Sequence, residues 1–175
     1  MRAVALLRGV NVGGVRFAMA DLRSALEAAG FTEVRTVLAS GNVLLTATSD
    51  DAAVVSSGVH DVILDRFGFD VAVLVVDLAA VRAAVEGHPF PPSADHHAYV
   101  VFAQAPAALD ELLELAGTVD SGIERVERGD GVLYWEVPKG RTLDSPFGKR
   151  FGQRARSGAV TTRNRNTLEK ILAAG

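Results

Sequence analysis

The first 77 residues alternate between two kinds of apolar pattern, and this limits the fold more than any other feature of the chain. Short apolar runs stand at residues 2–8 (RAVALLR), 33–38 (EVRTVL), 43–46 (VLLT) and 71–76 (VAVLVV). Between them, Met19, Leu22, Leu26 and Ala29, and later Val55, Val59, Val62 and Ile63, recur at three- and four-residue steps. Runs too short for helices read as strands, and the three- and four-residue steps read as helices with one apolar face. The order is therefore β-α-β-β-α-β, a unit whose sheet sets its first and third strands side by side and antiparallel. The punctuation agrees. Gly30 and Gly68 stand where helices end. Ser49 or Asp50 can cap the second helix, and Ser40-Gly41-Asn42 is a turn.

The same order recurs after a linking helix. Asp77 can cap that helix, Leu78, Val81 and Val85 face inward, and Gly87 comes after it. Then comes His88-Pro89-Phe90-Pro91-Pro92-Ser93, where three prolines in six residues disfavour helix and central strand. Residues 98–103 (AYVVFA) read as a strand. Pro106 opens a helix with Leu109, Leu112, Leu113 and Ala116 inward and Gly117 at its end. Residues 123–128 and 132–137 pair around Gly129-Asp130-Gly131. In Tyr134-Trp135, strand alternation predicts one ring packed and the other facing outward. A short helix within 141–157, a short strand at 159–161 and a helix over 167–174 complete the chain. The expected division is 1–87 as the first unit with its linking helix, 88–97 as the Pro-rich connection, and 98–175 as the second unit with a basic C-terminal segment.

Composition excludes several classes. The chain has no cysteine, so disulfides and thiolate metal sites are ruled out and a cytoplasmic location is expected. No window of about eighteen apolar, uncharged residues exists, so no membrane association is expected. MRAVALLRGVNVGG reads as a first strand, not a signal peptide. Asp95-His96-His97 suggests a metal, but neighbouring strand residues point to opposite faces and no further ligand is suitably spaced; no metal or cofactor is expected. Charge is uneven. Residues 1–138 hold 9 Lys/Arg against 19 Asp/Glu, whereas 139–175 hold 9 against 2. Either the basic segment packs beside acidic faces, or it meets an anionic partner such as a nucleotide or nucleic acid.

Strand order suggests where polar residues gather. The end of the first strand should meet the start of the third, placing Arg8 and Asn11 beside Ser40 and Asn42. Arginine offers five donors, while asparagine and serine both donate and accept, so the group could hold a carboxylate or phosphate. It could equally be turn chemistry, with glycines at positive φ and asparagines bonding their own turns. The stretch matches neither the P-loop nor the dinucleotide fingerprint. In the second unit, Lys139 should approach His96 and His97, with Arg163 and Asn164 joining ahead of the last helix, whose amides attract anions.

Leu7-Arg8-Gly9-Val10-Asn11-Val12-Gly13-Gly14 and Ser40-Gly41-Asn42 resemble signature segments of the bacterial family called domain of unknown function 1697. So do Pro89-Phe90, Tyr134-Trp135 with Lys139-Gly140, and Thr161-Thr162-Arg163-Asn164 with Thr167. The resemblance implies an α+β fold of two ferredoxin-like (βαββαβ) repeats with antiparallel sheets, and carries no activity. It adds weight to Arg8, Asn11, Ser40, Asn42, Lys139, Arg163 and Asn164 as ligand-binding residues. The chain departs from the pattern at Val15-Arg16, at His88 where an asparagine is expected, and at Arg165 where an aromatic is expected. The leading expectation is binding of an anionic ligand (nucleotide, phosphosugar or RNA phosphate) through these loops. The alternatives are a small transferase or hydrolase using Lys139 or a histidine as acid/base, and a homodimeric interaction module paired through exposed strand edges.

Overall fold

The computed structural model describes residues 1–11, 14–117 and 122–175. They form two compact units, Met1–Val81 with Lys170–Gly175, and Arg82–Glu169. The division falls inside the linking helix and inside the last helix.

In the first unit, β1 (Arg2–Leu7), α1 (Met19–Ala28), β2 (Thr32–Val37), β3 (Asn42–Thr46), α2 (Ala52–Phe67) and β4 (Val73–Asp77) follow the expected order. The sheet runs β2-β3-β1-β4, antiparallel throughout, the arrangement of a ferredoxin-like repeat. One face carries Ala3, Ala5, Leu7, Val43 and Leu45, and packs with Leu22 and Leu26 of α1 and Val55, Val59 and Ile63 of α2. Val4, Leu6 and Leu44 of the opposite face are fully buried too, so β1 and β3 read as unbroken apolar runs. The helix α2 is capped by Asp51, not by Ser49 or Asp50: its carboxylate accepts from the Ala53 and Val54 amides. Ser49 instead accepts from the Asp51 amide, 3.1 Å away. The cap falls to Asp51 because it immediately precedes the helix and so reaches the second and third amides.

The chain continues through α3 (Leu78–Glu86), with Asp77 accepting from the Ala79 amide at 2.7 Å. The second unit holds β5 (His96–Ala103), α4 (Pro106–Gly117), β6 (Arg125–Arg128), β7 (Leu133–Pro138), α5 (Pro146–Ala155) and β8 (Val160–Asn164), with α6 (Arg165–Ala174) last. Its sheet order, β6-β7-β5-β8, repeats that of the first. Leu109 and Leu112 of α4 pack with Phe147 and Phe151 of α5 over Val101, Leu133, Trp135 and Val137. Trp135 stacks on Tyr99 at 5.2 Å and meets Phe147 edge-on at 5.2 Å. The expectation of one outward ring in Tyr134-Trp135 is overturned, because both are buried. Tyr134 points to the sheet face opposite Trp135, where it meets the His88 ring at 4.9 Å.

A carboxylate buried beside this aromatic cluster fixes α5. Glu124, 3 % exposed, accepts from the Trp135 indole at 2.8 Å and from the Phe147 amide at 2.7 Å. That amide lies in the first turn, where a negative group is favoured. Ser145 supplies the adjoining cap to Gly148 at 3.1 Å.

Gly41 locks the first unit's turn. Its φ is +81°, and an added Cβ would lie 2.8 Å from Leu7 Cβ. Gly9 also has positive φ (+69°), but open space surrounds it. Gly9→Ala is expected to cost about 1–2 kcal/mol from left-handed backbone alone. Gly41→Ala adds overpacking and is expected to cost about 2–4 kcal/mol. Urea unfolding of the two variants, followed by circular dichroism, checks the order; equal losses would contradict the packing account.

Candidate functional site

Antiparallel pairing of β1 with β3 sets Leu6 opposite Asn42. The Leu7 amide then donates to Gly41 at 2.8 Å, and the Asn11 side chain donates to the Ala39 carbonyl at 2.7 Å. The two loops therefore meet, as strand order demanded. What they form is largely a lock on the turn. Asn42 is fully buried and donates to the Val37 carbonyl at 2.9 Å and to Ser40 Oγ at 3.2 Å. Asn11 takes a left-handed conformation, φ +60°, which asparagine tolerates better than most residues. Arg8 is half-buried, and that burial lowers its pKa from the usual arginine value. Both asparagines spend amide donors on backbone carbonyls that a turn would otherwise leave unpaired.

The second unit gathers its polar groups around a cavity of about 490 Å³. Lys139, His96, His97, Asn164 and Arg165 line it, with Glu169 one turn along α6. Three strand ends meet here. His96 pairs with Pro138, the last residue of β7, and Tyr99 pairs with Asn164, the last residue of β8. Lys139 follows β7 directly; its amide donates to Asp95 at 2.9 Å and its ammonium to the Ala94 carbonyl. An ammonium has three donors, so this bond positions the charge without exhausting it. Asn164 ends β8 and caps α6 at once, its Oδ1 accepting from the Asn166 amide at 3.0 Å. Arg165 donates to Glu169 at 3.0 Å and reaches the Phe90 carbonyl at 3.5 Å.

Of the residues expected here, Lys139 and Asn164 line the cavity. Arg163 does not. It pairs with Val100, one residue out of phase with Asn164, and its guanidinium folds back onto Thr161 Oγ1 and the Thr162 carbonyl, each at 2.9 Å. Strand alternation turns Arg163 to the face opposite Asn164, and the cavity, which both His96 and His97 reach at the start of β5, does not extend to it. Sequence reasoning set His96 and His97 beside Lys139 without counting them as ligand-binding residues, and passed over Arg165. Their signal was the expected approach of Lys139 to the histidines, and the charge standing where an aromatic was expected.

Two other histidines have partners of their own. His60 lies 3.1 Å from Asp61 and 3.0 Å from Asp70, and these hydrogen bonds raise its pKa. His88 Nδ1 accepts from the Phe90 amide at 3.3 Å, while Nε2 donates to the Tyr99 carbonyl at 3.4 Å. Burial, with the nearby Arg165 charge, holds its pKa below the ordinary histidine value. Among the described residues no cluster of three or more His, Cys, Asp or Glu could hold a metal ion, and no helix is long and apolar enough to cross a membrane.

Fold and site together define a mixed α+β protein of two ferredoxin-like units, with a polar pocket in the second where three strand ends converge. The chain belongs to the family described as "Protein of unknown function (DUF1697)", whose model matches residues 1–134. Lys139 and the Thr161–Asn164 segment lie beyond the matched residues. The chain is similar in fold to a conserved bacterial protein from Streptococcus pneumoniae, with a TM-score of 0.78 and 21% identity over 98% of this chain and 96% of that one. An unknown protein from Galdieria sulphuraria aligns over 93% of this chain and 95% of its own, at 13% identity and a TM-score of 0.24. No curated protein matches the chain.

The two partnered histidines act on stability with opposite sign. His88, held neutral, costs stability as pH falls below about 6.5, where the unfolded chain takes up a proton the folded chain resists. His60, with its raised value, contributes stability fully present below about pH 6.5 and lost as pH rises through its folded value. His60 is partly exposed, so solvent screens its share. Relative to wild type, His88→Asn is expected to gain stability between pH 8 and pH 5, and His60→Asn to lose it. Urea unfolding at the two pH values measures both; shifts of the same sign would contradict the assignment.

Proposed function

We propose that the second unit binds a small phosphorylated ligand in the cavity lined by Lys139, His96, His97, Asn164 and Arg165. The observation that carries this reading is the convergence of two cations and two imidazoles on one cavity of about 490 Å³. That volume suits a ligand the size of a nucleotide or sugar phosphate. Glu169 is the carboxylate on the wall and is already engaged by Arg165. The arrangement therefore favours an anion that also presents hydroxyls. The first amides of α6 add a partial positive charge on the same side. A long RNA backbone fits less well, because residues 1–138 are strongly acidic.

The cavity of about 520 Å³ between α1 and α2 makes a poorer candidate for an anion. Asp21 and Asp65 stand there against a single Arg66, on a wall of alanines.

Titration calorimetry with inorganic phosphate, a nucleoside monophosphate and a sugar phosphate, at two salt concentrations, tests the proposal. Binding that weakens with salt is expected. Loss of one charge-assisted hydrogen bond is worth about 1.5–3 kcal/mol, so Lys139→Ala and Arg165→Gln should each weaken binding by about tenfold or more. Arg163→Ala should leave affinity nearly unchanged. Absence of binding by all three phosphates at low salt would overturn the proposal.

A further inference from the structure

The hydrogen bonds around Asn164 specify more than the start of a helix. The Asn166 amide hydrogen has a fixed direction, so the oxygen of the Asn164 side chain must be the atom that faces it, at 3.0 Å. The amide nitrogen then faces the other way, 3.3 Å from His97 Nδ1. An amide nitrogen donates and has no lone pair to offer, so His97 Nδ1 accepts. A neutral imidazole that accepts at Nδ1 carries its hydrogen on Nε2. The His97 ring also lies against Tyr99, with centroids 5.6 Å apart, which restrains its rotation. His97 lines the cavity, and its Nε2 makes no hydrogen bond among the described residues.

We infer that His97 is held as the Nε2–H tautomer and serves the pocket as a neutral hydrogen-bond donor, with Asn164 as its positioning residue. The donor role rests on the second unit's cavity being a phosphate pocket; the tautomer does not. The assignment narrows the ligand chemistry. An Nε2–H group needs an oxygen acceptor, such as a phosphate or carboxylate oxygen. It offers no lone pair to a metal ion. The Nδ1 lone pair is occupied by Asn164, so His97 is not the base of an acid/base reaction. The helix cap and the donor are thus one device: the amide whose oxygen starts α6 uses its nitrogen to choose the tautomer.

Long-range ¹H–¹⁵N NMR of the full chain, without ligand and above the ordinary range of imidazole titration, reads the tautomer directly. The wild-type protein should show His97 protonated on Nε2. In Asn164→Asp one carboxylate oxygen keeps the cap and the other becomes an acceptor for Nδ1, so the hydrogen should move to Nδ1. An Nδ1–H wild type, or an unchanged pattern in folded Asn164→Asp, would overturn the tautomer assignment. A second measurement avoids any dependence on that variant folding. With inorganic phosphate as probe, His97→Gln keeps a donor and should bind within about threefold of wild type, whereas His97→Leu should bind about tenfold more weakly. Equal losses in both would overturn the donor role. Failure of phosphate to bind the wild type at all would sink the phosphate pocket, while the tautomer stands or falls on the ligand-free spectrum.

Discussion

The central strand of each unit is hydrogen-bonded along both edges, β1 to β3 and β4, and β5 to β7 and β8. Antiparallel pairing on both sides means that one end of the central strand always meets the opposite ends of two others. In the first unit this brings residues 7–11 against 39–42. In the second it brings His96 and His97 against Lys139 and Asn164. The polar corners are consequences of strand order and would dissolve if either ladder slipped, since a one-residue shift turns every side chain to the other face.

The two corners use the same residue types for different ends. Asn42 and Asn11 donate inward to backbone carbonyls and hold a turn closed. Asn164 sits where strand becomes helix, so its two polar atoms point at two different elements. A short amide is suited to this because it donates and accepts from one rigid plane. The difference between a turn lock and a ligand site lies in what surrounds the amide. Gly41 is pressed against Leu7, leaving no room at the first corner for a side-chain methyl. At the second corner a cavity stands open between the basic groups.

His88 stands where the resemblance implied an asparagine, and its contacts show how such a change can be absorbed. It bridges the Phe90 amide and the Tyr99 carbonyl, one nitrogen accepting and the other donating. An asparagine at that position carries the same pair of functions. The imidazole adds ring contacts with Phe90 and Tyr134 and makes the bridge sensitive to protonation. Arg165 is a different kind of departure. A charge anchored to Glu169 stands where a ring was expected, and it supplies one of the two cations of the pocket.

Strand and helix order was legible because apolar spacing is a local property. RAVALLR and VAVLVV are apolar on both faces and end up buried on both; Leu22 and Leu26 share one face of α1. The juxtaposition of Leu7 and Asn11 with residues 39–42 came from that order and one pairing rule. Less local features were not legible. Asp51 rather than its neighbours caps α2 because the helix starts one residue later than the sequence suggested. Tyr134 is buried with the His88 ring packed against it, and alternation cannot say whether both faces of a sheet are covered. Glu124 carried no sequence signal, since its partners lie eleven and twenty-three residues away.

By itself, then, the sequence determined the element order, the two antiparallel repeats and the corners at which polar residues would meet, because these depend on spacing along the chain. Only the tertiary structure decided which residues at those corners face a cavity. Arg163 and Asn164 differ by one position and leave β8 on opposite faces, and no reading of composition separates them. Strand phase, set by the ladder to β5, does.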